Sequence, residues 1–450
     1  MDYTTFLESK RTKRELFGFK ARFFPEGMKS FQKHLTEWSV RLGRAATFAS
    51  CGLGKSIIAL TFCENVIRYK KKTGRALIFC PLAVAQQFER EAKKFGMKAT
   101  KTQDGTLHDG INVTNYHRIL NYSPKDFDCV VCDEAGVLKS ADRKWSKEIT
   151  KFMSQVQYRL LCTATPAPND YMELGSSSEA LGVMKRNQML AMFFTNDGES
   201  TQQWSLKGHA KKRFWQWVST WARAVRKPSD LGNQFSDEGY ILPELRMHTH
   251  ILPSNAPTNG FLYPPIAKTL NEQRAEARRT IKERCGKVAE IVSRRKDPCI
   301  VWCNLNDEGD LLEKMIPDAV QVAGRHSDEI KEQRLNDFAL GRIPVLVTKG
   351  KIAGWGLNFQ VCHRTCCFPT NSWELYHQMI RRIWRFGQEH PVDCHVVSTE
   401  GEQAVLDNMM RKEAASEDMY SGIIKNIMQV EREKVESNGY TMMEVPSWLR

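Results

Sequence analysis

Ala49-Ser50-Cys51-Gly52-Leu53-Gly54-Lys55-Ser56 is the stretch that decides how this chain is read. Gly52 and Gly54 let the backbone turn tightly, so that successive N–H groups can point at phosphate oxygens. Lys55 then brings an ammonium to the β and γ phosphates, and Ser56 offers a hydroxyl to Mg²⁺. The residues from Ser56 to Val66 read as a helix whose positive N-terminal end adds to the same site. Nucleotide-binding residues on this stretch are Gly52, Leu53, Gly54, Lys55 and Ser56. The plainer alternative is a Gly-rich turn that happens to precede a helix.

Outward from this loop, short apolar runs alternate with helical patterns. In the first half they are Ala76–Cys80, Ile111–Thr114, Cys129–Cys132 and Arg159–Cys162. In the second half they are Cys299–Cys303, Val345–Thr348, Thr365–Phe368 and Cys394–Val397. Their near-continuous apolar character predicts strands buried on both faces, as in parallel sheets covered by helices. The expected fold class is α/β, with two mainly parallel sheets flanked by helices. A chain of 450 residues is too long for one ordinary core. The expected division is 1–171 for the ATP-binding lobe and 172–250 for a helical Trp/basic insertion that returns to a linker at 251–265. A second lobe follows at 266–425, then a tail at 426–450. Pro, Asn, Thr and Gly cluster in that linker and disfavour regular structure. In the insertion, Phe214, Trp217, Val218, Trp221 and Val225 fall on one helical face. The segment from about Glu402 to Glu436 reads as a charged helix.

Two further clusters carry chemistry. The run Cys129–Cys132 ends in Asp133-Glu134, at the edge where α/β sheets bind ligands. Asp133, with Ser56, would hold Mg²⁺, and Glu134 would polarise the attacking water. By itself this pair is also an ordinary acidic turn. Thr163-Ala164-Thr165-Pro166 follows another strand, and the hydroxyls of Thr163 and Thr165 could couple those carboxylates to the second lobe. In Gln378–Gln388, helical spacing puts Gln378, Arg382 and Arg385 on one face, with Gly387 ending the helix. Two guanidiniums suit the charge of a transferring γ-phosphoryl group; a solvated basic helix is the alternative. Gln388 is assigned to coupling. Gly354-Trp355-Gly356-Leu357-Asn358 forms a Gly-bearing loop, with Gly356 placed to let backbone approach nucleotide or nucleic acid.

The formal net charge of +14 favours a polyanionic partner, most simply nucleic acid. Trp204, Trp215, Trp217 and Trp221 lie among lysines and arginines between 202 and 227. That mixture suits base stacking, or else an amphipathic helix with buried tryptophans. The thirteen cysteines are scattered, many within apolar runs, and read as small buried hydrophobes in a reducing compartment rather than as metal ligands. No apolar run approaches the ~18 residues that span a bilayer, and no signal peptide is visible, so no membrane partner is expected.

These residues together resemble the superfamily 2 helicase motor, and within it the Swi/Snf branch of DNA translocases, over roughly residues 20 to 400. Ala49 replaces the first glycine of the strict phosphate loop, as in helicases. Gly52–Ser56 is similar to motif I, Asp133-Glu134-Ala135-Gly136 to motif II, and Thr163–Pro166 to motif III. Gly354–Asn358 resembles motif V. Gln378–Gln388 fits the branch's QxxxRxxRxGQ motif VI, and the resemblance makes Arg382 and Arg385 arginine fingers. Gln32 is similar to the family's adenine-reading glutamine, and Gln378 joins it among the nucleotide-binding positions. Gly136 and Ala164 depart from residues common in the family, where His or Asp and Gly stand. The chain also looks like compact helicase-like proteins of bacteriophages. The resemblance implies two RecA-like lobes, ATP and Mg²⁺ in an interlobe cleft, and nucleic acid, double-stranded DNA first, as partner. It implies ATP hydrolysis coupled to movement on DNA in the cytoplasm of a bacterial or phage-infected cell, at the nucleoid. An RNA-dependent ATPase and a nucleotide-gated DNA-binding scaffold are the alternatives.

Overall fold

The structure, a computed structural model, describes residues 17–70, 72–81, 84–139, 144–167, 169–196, 204–253, 269–353 and 358–436. Its contacts divide the chain into two units: residues 1–238 together with 416–450, and residues 239–415.

The first unit contains strands β1 (Arg44–Ala49), β2 (Arg75–Cys80), β3 (Ala99–Lys101), β4 (Gly110–Asn115), β5 (Cys129–Asp133), β6 (Tyr158–Thr163), β7 (Phe194–Asn196), β8 (Trp204–Leu206) and β9 (Ala222–Val225). Seven of them form a sheet in the order β3-β4-β2-β5-β6-β1-β9, with every pairing parallel. β7 and β8 make a separate antiparallel pair. The four apolar runs expected in this half are β2, β4, β5 and β6. Because all seven strands point the same way, their C-terminal ends share one edge. Within it β5, β6 and β1 are consecutive neighbours, so the residues that follow them converge. The core joins Phe48, Phe79, Val130 and Leu161 of the sheet to Phe214, Trp217 and Trp221 of the helix Lys211–Trp221.

Two expectations change here. Residues 172–250 are not simply a helical insertion, because β9 lies within them and extends the first sheet beside β1. Val225, expected on a helical face, is the last residue of that strand. The helix stops at Trp221 because Ala222 is extended (φ −124°, ψ 147°), and from there the chain pairs Ala222 with Ala46 and Val225 with Ala49.

The second unit contains β10 (Leu245–Leu252), β11 (Cys299–Cys303), β12 (Ala319–Val322), β13 (Val345–Lys349), β14 (Arg364–Cys367) and β15 (Val392–Thr399). Their order is β10-β15-β14-β11-β13-β12, again all parallel. Period-two alternation divides each strand between two cores. Ile300, Trp302, Leu346, Cys367 and Val396 face one cluster, while Cys299, Val301, Cys303, Val347, Cys366 and Val397 face the other. The start of the expected linker, Ile251 and Leu252, lies in β10, paired with β15 along its length. Residues 254–268 lie outside the described residues.

The helix Gln403–Glu436 matches the expected charged helix. Leu406 and Met409 bury in the core of the second unit, and Met419, Tyr420, Ile423 and Ile424 in that of the first. Residues 416–425, expected in the second lobe, therefore group with the first unit. Each unit is thus built on a parallel sheet flanked by helices, as the sequence implied. Among the described residues, no helix is long and apolar enough to cross a membrane.

Candidate functional site

β1 delivers the phosphate loop. Ser50 N–H donates to the Val225 carbonyl of β9 at 2.9 Å, which fixes where the loop leaves the sheet. Gly52 and Gly54 then take φ of 90° and 81°, in the left-handed region that favours glycine. Gly54 is doubly required, because a Cβ there would stand 2.3 Å from Nε2 of Gln32. The helix Lys55–Lys70 begins directly after it. Lys55 Nζ donates to the Ala49 carbonyl at 3.0 Å, folding the ammonium over the loop.

Gln32 is brought to this loop by the helix Ser30–Leu42. Its Nε2 donates to the Leu53 carbonyl at 3.1 Å, and its Oε1 accepts the Lys29 N–H at 3.0 Å. Both ends of the amide are thus engaged with backbone, and one of them braces the loop.

β5 delivers Asp133 and Glu134. Asp133 is 5% exposed, and its Oδ1 is buried without a hydrogen-bond partner. Burial first, then the neighbouring Glu134, push its carboxyl up to about 8, against a smaller opposing pull from Lys55. A buried carboxylate oxygen with an unused lone pair, beside a phosphate loop, fits a divalent cation, which would favour the ionised form. Ser56, the other expected Mg²⁺ ligand, lies near Glu91 of the helix Ala85–Lys94; burial pushes the Glu91 carboxyl up, against a smaller opposing pull from the Ser56 hydroxyl. Glu91 was not singled out from sequence. Its charged surface-helix context, Gln-Phe-Glu-Arg-Glu-Ala-Lys-Lys, gives no sign that it turns toward the loop.

β6 delivers the hydroxyl pair. Thr163 Oγ1 donates to Glu134 Oε2 at 3.4 Å and accepts the Thr165 N–H at 3.0 Å. Both threonines are fully buried. Lys55, Asp133, Glu134 and Thr163 therefore converge on one sheet edge of the first unit.

In the second unit the helix Trp373–Ile380 carries Gln378, but Arg382 and Arg385 lie beyond its end. This corrects the expected helical face. Arg382 and Ile383 N–H groups bond three residues back, to Met379 and Ile380, and the Arg382 carbonyl accepts Phe359 N–H at 2.9 Å from a separate segment. Those bonds replace the α-helical ladder with tight turns. Gly387, expected to end the helix, instead supplies a left-handed turn (φ 87°) further on. The Arg382 guanidinium is nevertheless oriented. Its Nη2 donates to Gln378 Oε1 at 3.0 Å, and Gln378 is fully buried. Arg385 Nη1 donates to Asn358 Oδ1, tying the end of the Gly-bearing loop to these arginines. Gly356 lies outside the described residues. Gln388 Nε2 donates to the Cys362 carbonyl at 3.0 Å, so its place is inside this unit, holding the turn.

The aromatic–basic segment takes the amphipathic alternative. Trp215, Trp217 and Trp221 are buried, and Trp217 packs against Phe193 and Phe214. Several neighbouring cations have acidic partners within the first unit: Lys211 with Asp418 at 2.8 Å, Arg226 with Glu417 at 2.9 Å and Lys227 with Asp237 at 2.7 Å. All thirteen cysteines are free thiols, and all except Cys51 are buried.

The first unit is an α/β sheet with a glycine-bearing loop at its C-terminal edge, and residues 31–177 match the model of the SNF2-related domain. The chain is similar to proteins of the SWI2/SNF2 helicase-like class. It is 22% identical over 438 residues to the ATP-dependent helicase/translocase YwqA of Bacillus subtilis, a match covering 84% of this chain and 47% of that protein. It is 23% identical over 422 residues to protein p41 of Acyrthosiphon pisum secondary endosymbiont phage 1, covering 78% and 88%. Protein CHROMATIN REMODELING 19 of Arabidopsis thaliana is 29% identical over 162 residues, covering 28% of this chain and 21% of that one. The chain thus spans about half the length of the Bacillus relative and about a fifth of the Arabidopsis one. Among solved structures, the Sulfolobus solfataricus SWI2/SNF2 ATPase core in complex with dsDNA aligns with 92% of this chain and 98% of its own, at 16% identity and a TM-score of 0.43.

Proposed function

We propose that this chain is a DNA-dependent ATPase that couples Mg-ATP hydrolysis to translocation on double-stranded DNA. The observation that carries the reading is the convergence of the β1, β5 and β6 ends, which gathers Lys55, Asp133, Glu134 and Thr163 on one edge. The amides of Gly52–Ser56 and the Lys55 ammonium bind the phosphates. Ser56 and Asp133 would hold Mg²⁺, which would supply charge neutralisation for the phosphates. Glu134, held by Thr163, accepts a hydrogen bond from the water that attacks the γ-phosphorus. Arg382 and Arg385 are assigned to the charge that spreads over the transferring phosphoryl group.

The net charge of +14 and the dsDNA complex of the Sulfolobus protein favour DNA as the track. Similarity to a bacterial and a phage protein supports a bacterial or infected cell as the setting. A triplex-displacement assay tests translocation. ATP-dependent release of the third strand from intact duplex is expected, and no release by an ATPase-active preparation contradicts tracking. Preferential stimulation by RNA would move the protein to the RNA-dependent class.

A further inference from the structure

Glu134 adopts φ of 50°, in the left-handed region that non-glycine residues seldom occupy. Such a conformation persists only where its surroundings hold it. The side chain is met by Thr163, but the backbone has a different holder. The Tyr116 hydroxyl donates to the carbonyl of Asp133 and lies 3.3 Å from that of Glu134, so one phenol engages acceptors on both sides of the strained residue. The Glu134 carbonyl also accepts Val137 N–H at 3.3 Å, within its own turn. Among the described residues, Tyr116 holds this backbone from another strand end, while Thr163, at the end of β6, meets the side chain.

Tyr116 does not sit on a neighbouring strand. It follows β4, and β2 lies between β4 and β5 in the sheet. The phenol therefore reaches across the C-terminal end of an intervening strand. Its backbone is fixed where it starts: Asn115 Oδ1 accepts the His117 N–H at 3.0 Å, opening the short 3₁₀ helix Tyr116–Asn121. Burial and the nearby acidic groups push the phenol well above its ordinary value, so it remains a hydrogen-bond donor at every working pH.

We infer that Tyr116 is a positioning residue for hydrolysis, whose hydroxyl holds the Asp133–Glu134 backbone in the left-handed turn that aims the Glu134 carboxylate. The inference rests on the proposed role of Glu134 as the water-polarising group. Without the hydroxyl, the turn relaxes toward ordinary φ and the carboxylate loses its aim, while the phosphate loop keeps its own bonds. The effect therefore falls on turnover and leaves nucleotide binding intact.

Tyr116→Phe keeps the ring and removes only the donor. Its steady-state ATPase with saturating duplex DNA should show kcat reduced about tenfold, with KM for ATP and the apparent DNA affinity each within twofold of wild type. Asn115→Ala, which frees the start of the turn without touching the phenol, should lower kcat severalfold with the same constancy of KM. Wild-type kcat in Tyr116→Phe overturns the inference, as does a rise in KM with kcat unchanged in both variants. A wild-type protein with no DNA-stimulated ATPase would instead remove the functional reading on which the inference stands, so the two failures are distinguishable.

Discussion

The hydroxyl of Tyr420 donates to the carbonyl of Ala164 at 2.8 Å, a buried bond between residues 256 positions apart. It joins the C-terminal helix to the turn between Thr163 and Thr165, both at the candidate site. Around it, Met419, Ile423 and Ile424 bury in the same core, Asp418 meets Tyr171 and Lys211, and Gly422 packs on Trp215. From Ser416 onward the helix is thus a structural part of the first unit.

Tyr420→Phe should therefore destabilise the protein by about 1–3 kcal/mol, because it leaves a buried carbonyl unpaired. Chemical denaturation reads this as a lower midpoint with unchanged slope. Deleting residues 416–450 should be far worse. Four large side chains at ~1.5–3 kcal/mol each approach the whole stability of an ordinary domain. A truncated chain with wild-type melting behaviour would contradict this account of the helix.

Gly54→Ala should lose ATP binding and destabilise the loop, since the new Cβ meets Gln32 Nε2 at 2.3 Å while φ is 81°. Gln32→Ala alone should raise KM for ATP severalfold by removing the brace on Leu53. The double variant relieves the clash but keeps the backbone strain, so it should recover part of what Gly54→Ala loses. A double-mutant cycle of thermal stability and ATP affinity checks the coupling, and strictly additive losses would contradict it.

Asp133 gives a pH signature in the metal-free protein. Its folded carboxyl is pushed from an ordinary value of 3.8 up to about 8, so the folded state holds this proton more tightly than the unfolded chain does. The stability it contributes is full below about pH 4 and is lost as pH rises through about 8. Asp133→Asn, which cannot ionise, should therefore gain in melting temperature relative to wild type as pH goes from 5 to 9. Apparent Mg²⁺ affinity of the wild type should rise over the same range, because binding must displace the proton. A melting difference independent of pH would contradict this picture of the buried oxygen.

The Arg382–Gln378 bond predicts a graded pair. Arg382→Ala should leave ATP binding close to wild type while lowering kcat by about 10³-fold, the low end for a phosphoryl-stabilising arginine. Gln378→Ala should retain the guanidinium but free it from Oε1, for a smaller loss on the same parameter. Full turnover by Arg382→Ala removes that residue from the chemistry.

What could be read in the sequence was what repeats a simple physical pattern. Cys-Val-Val-Cys and Cys-Ile-Val-Trp-Cys are apolar on both faces, and each became an interior strand. The Gly52/Gly54 spacing requires left-handed φ, and both residues have it. β10 escaped because it is a sheet edge: Leu-Arg-Met-His-Thr-His-Ile-Leu mixes exposed and half-buried positions and shows no buried run. β9 escaped because Ala-Arg-Ala-Val continues the apolar spacing of the helix before it. The turn at Arg382 depends on a donor from Phe359, which no local pattern announces. Tyr116 and Glu91 stood in stretches with no motif, and only their partners at the sheet edge reveal them.

The most direct test is phosphate release by the purified chain with Mg-ATP, with and without linear duplex DNA, beside Lys55→Ala. The account predicts hydrolysis that rises strongly with duplex DNA in the wild type and is abolished in the variant. Equal turnover by both proteins, or none by the wild type at saturating ATP and DNA, would contradict it.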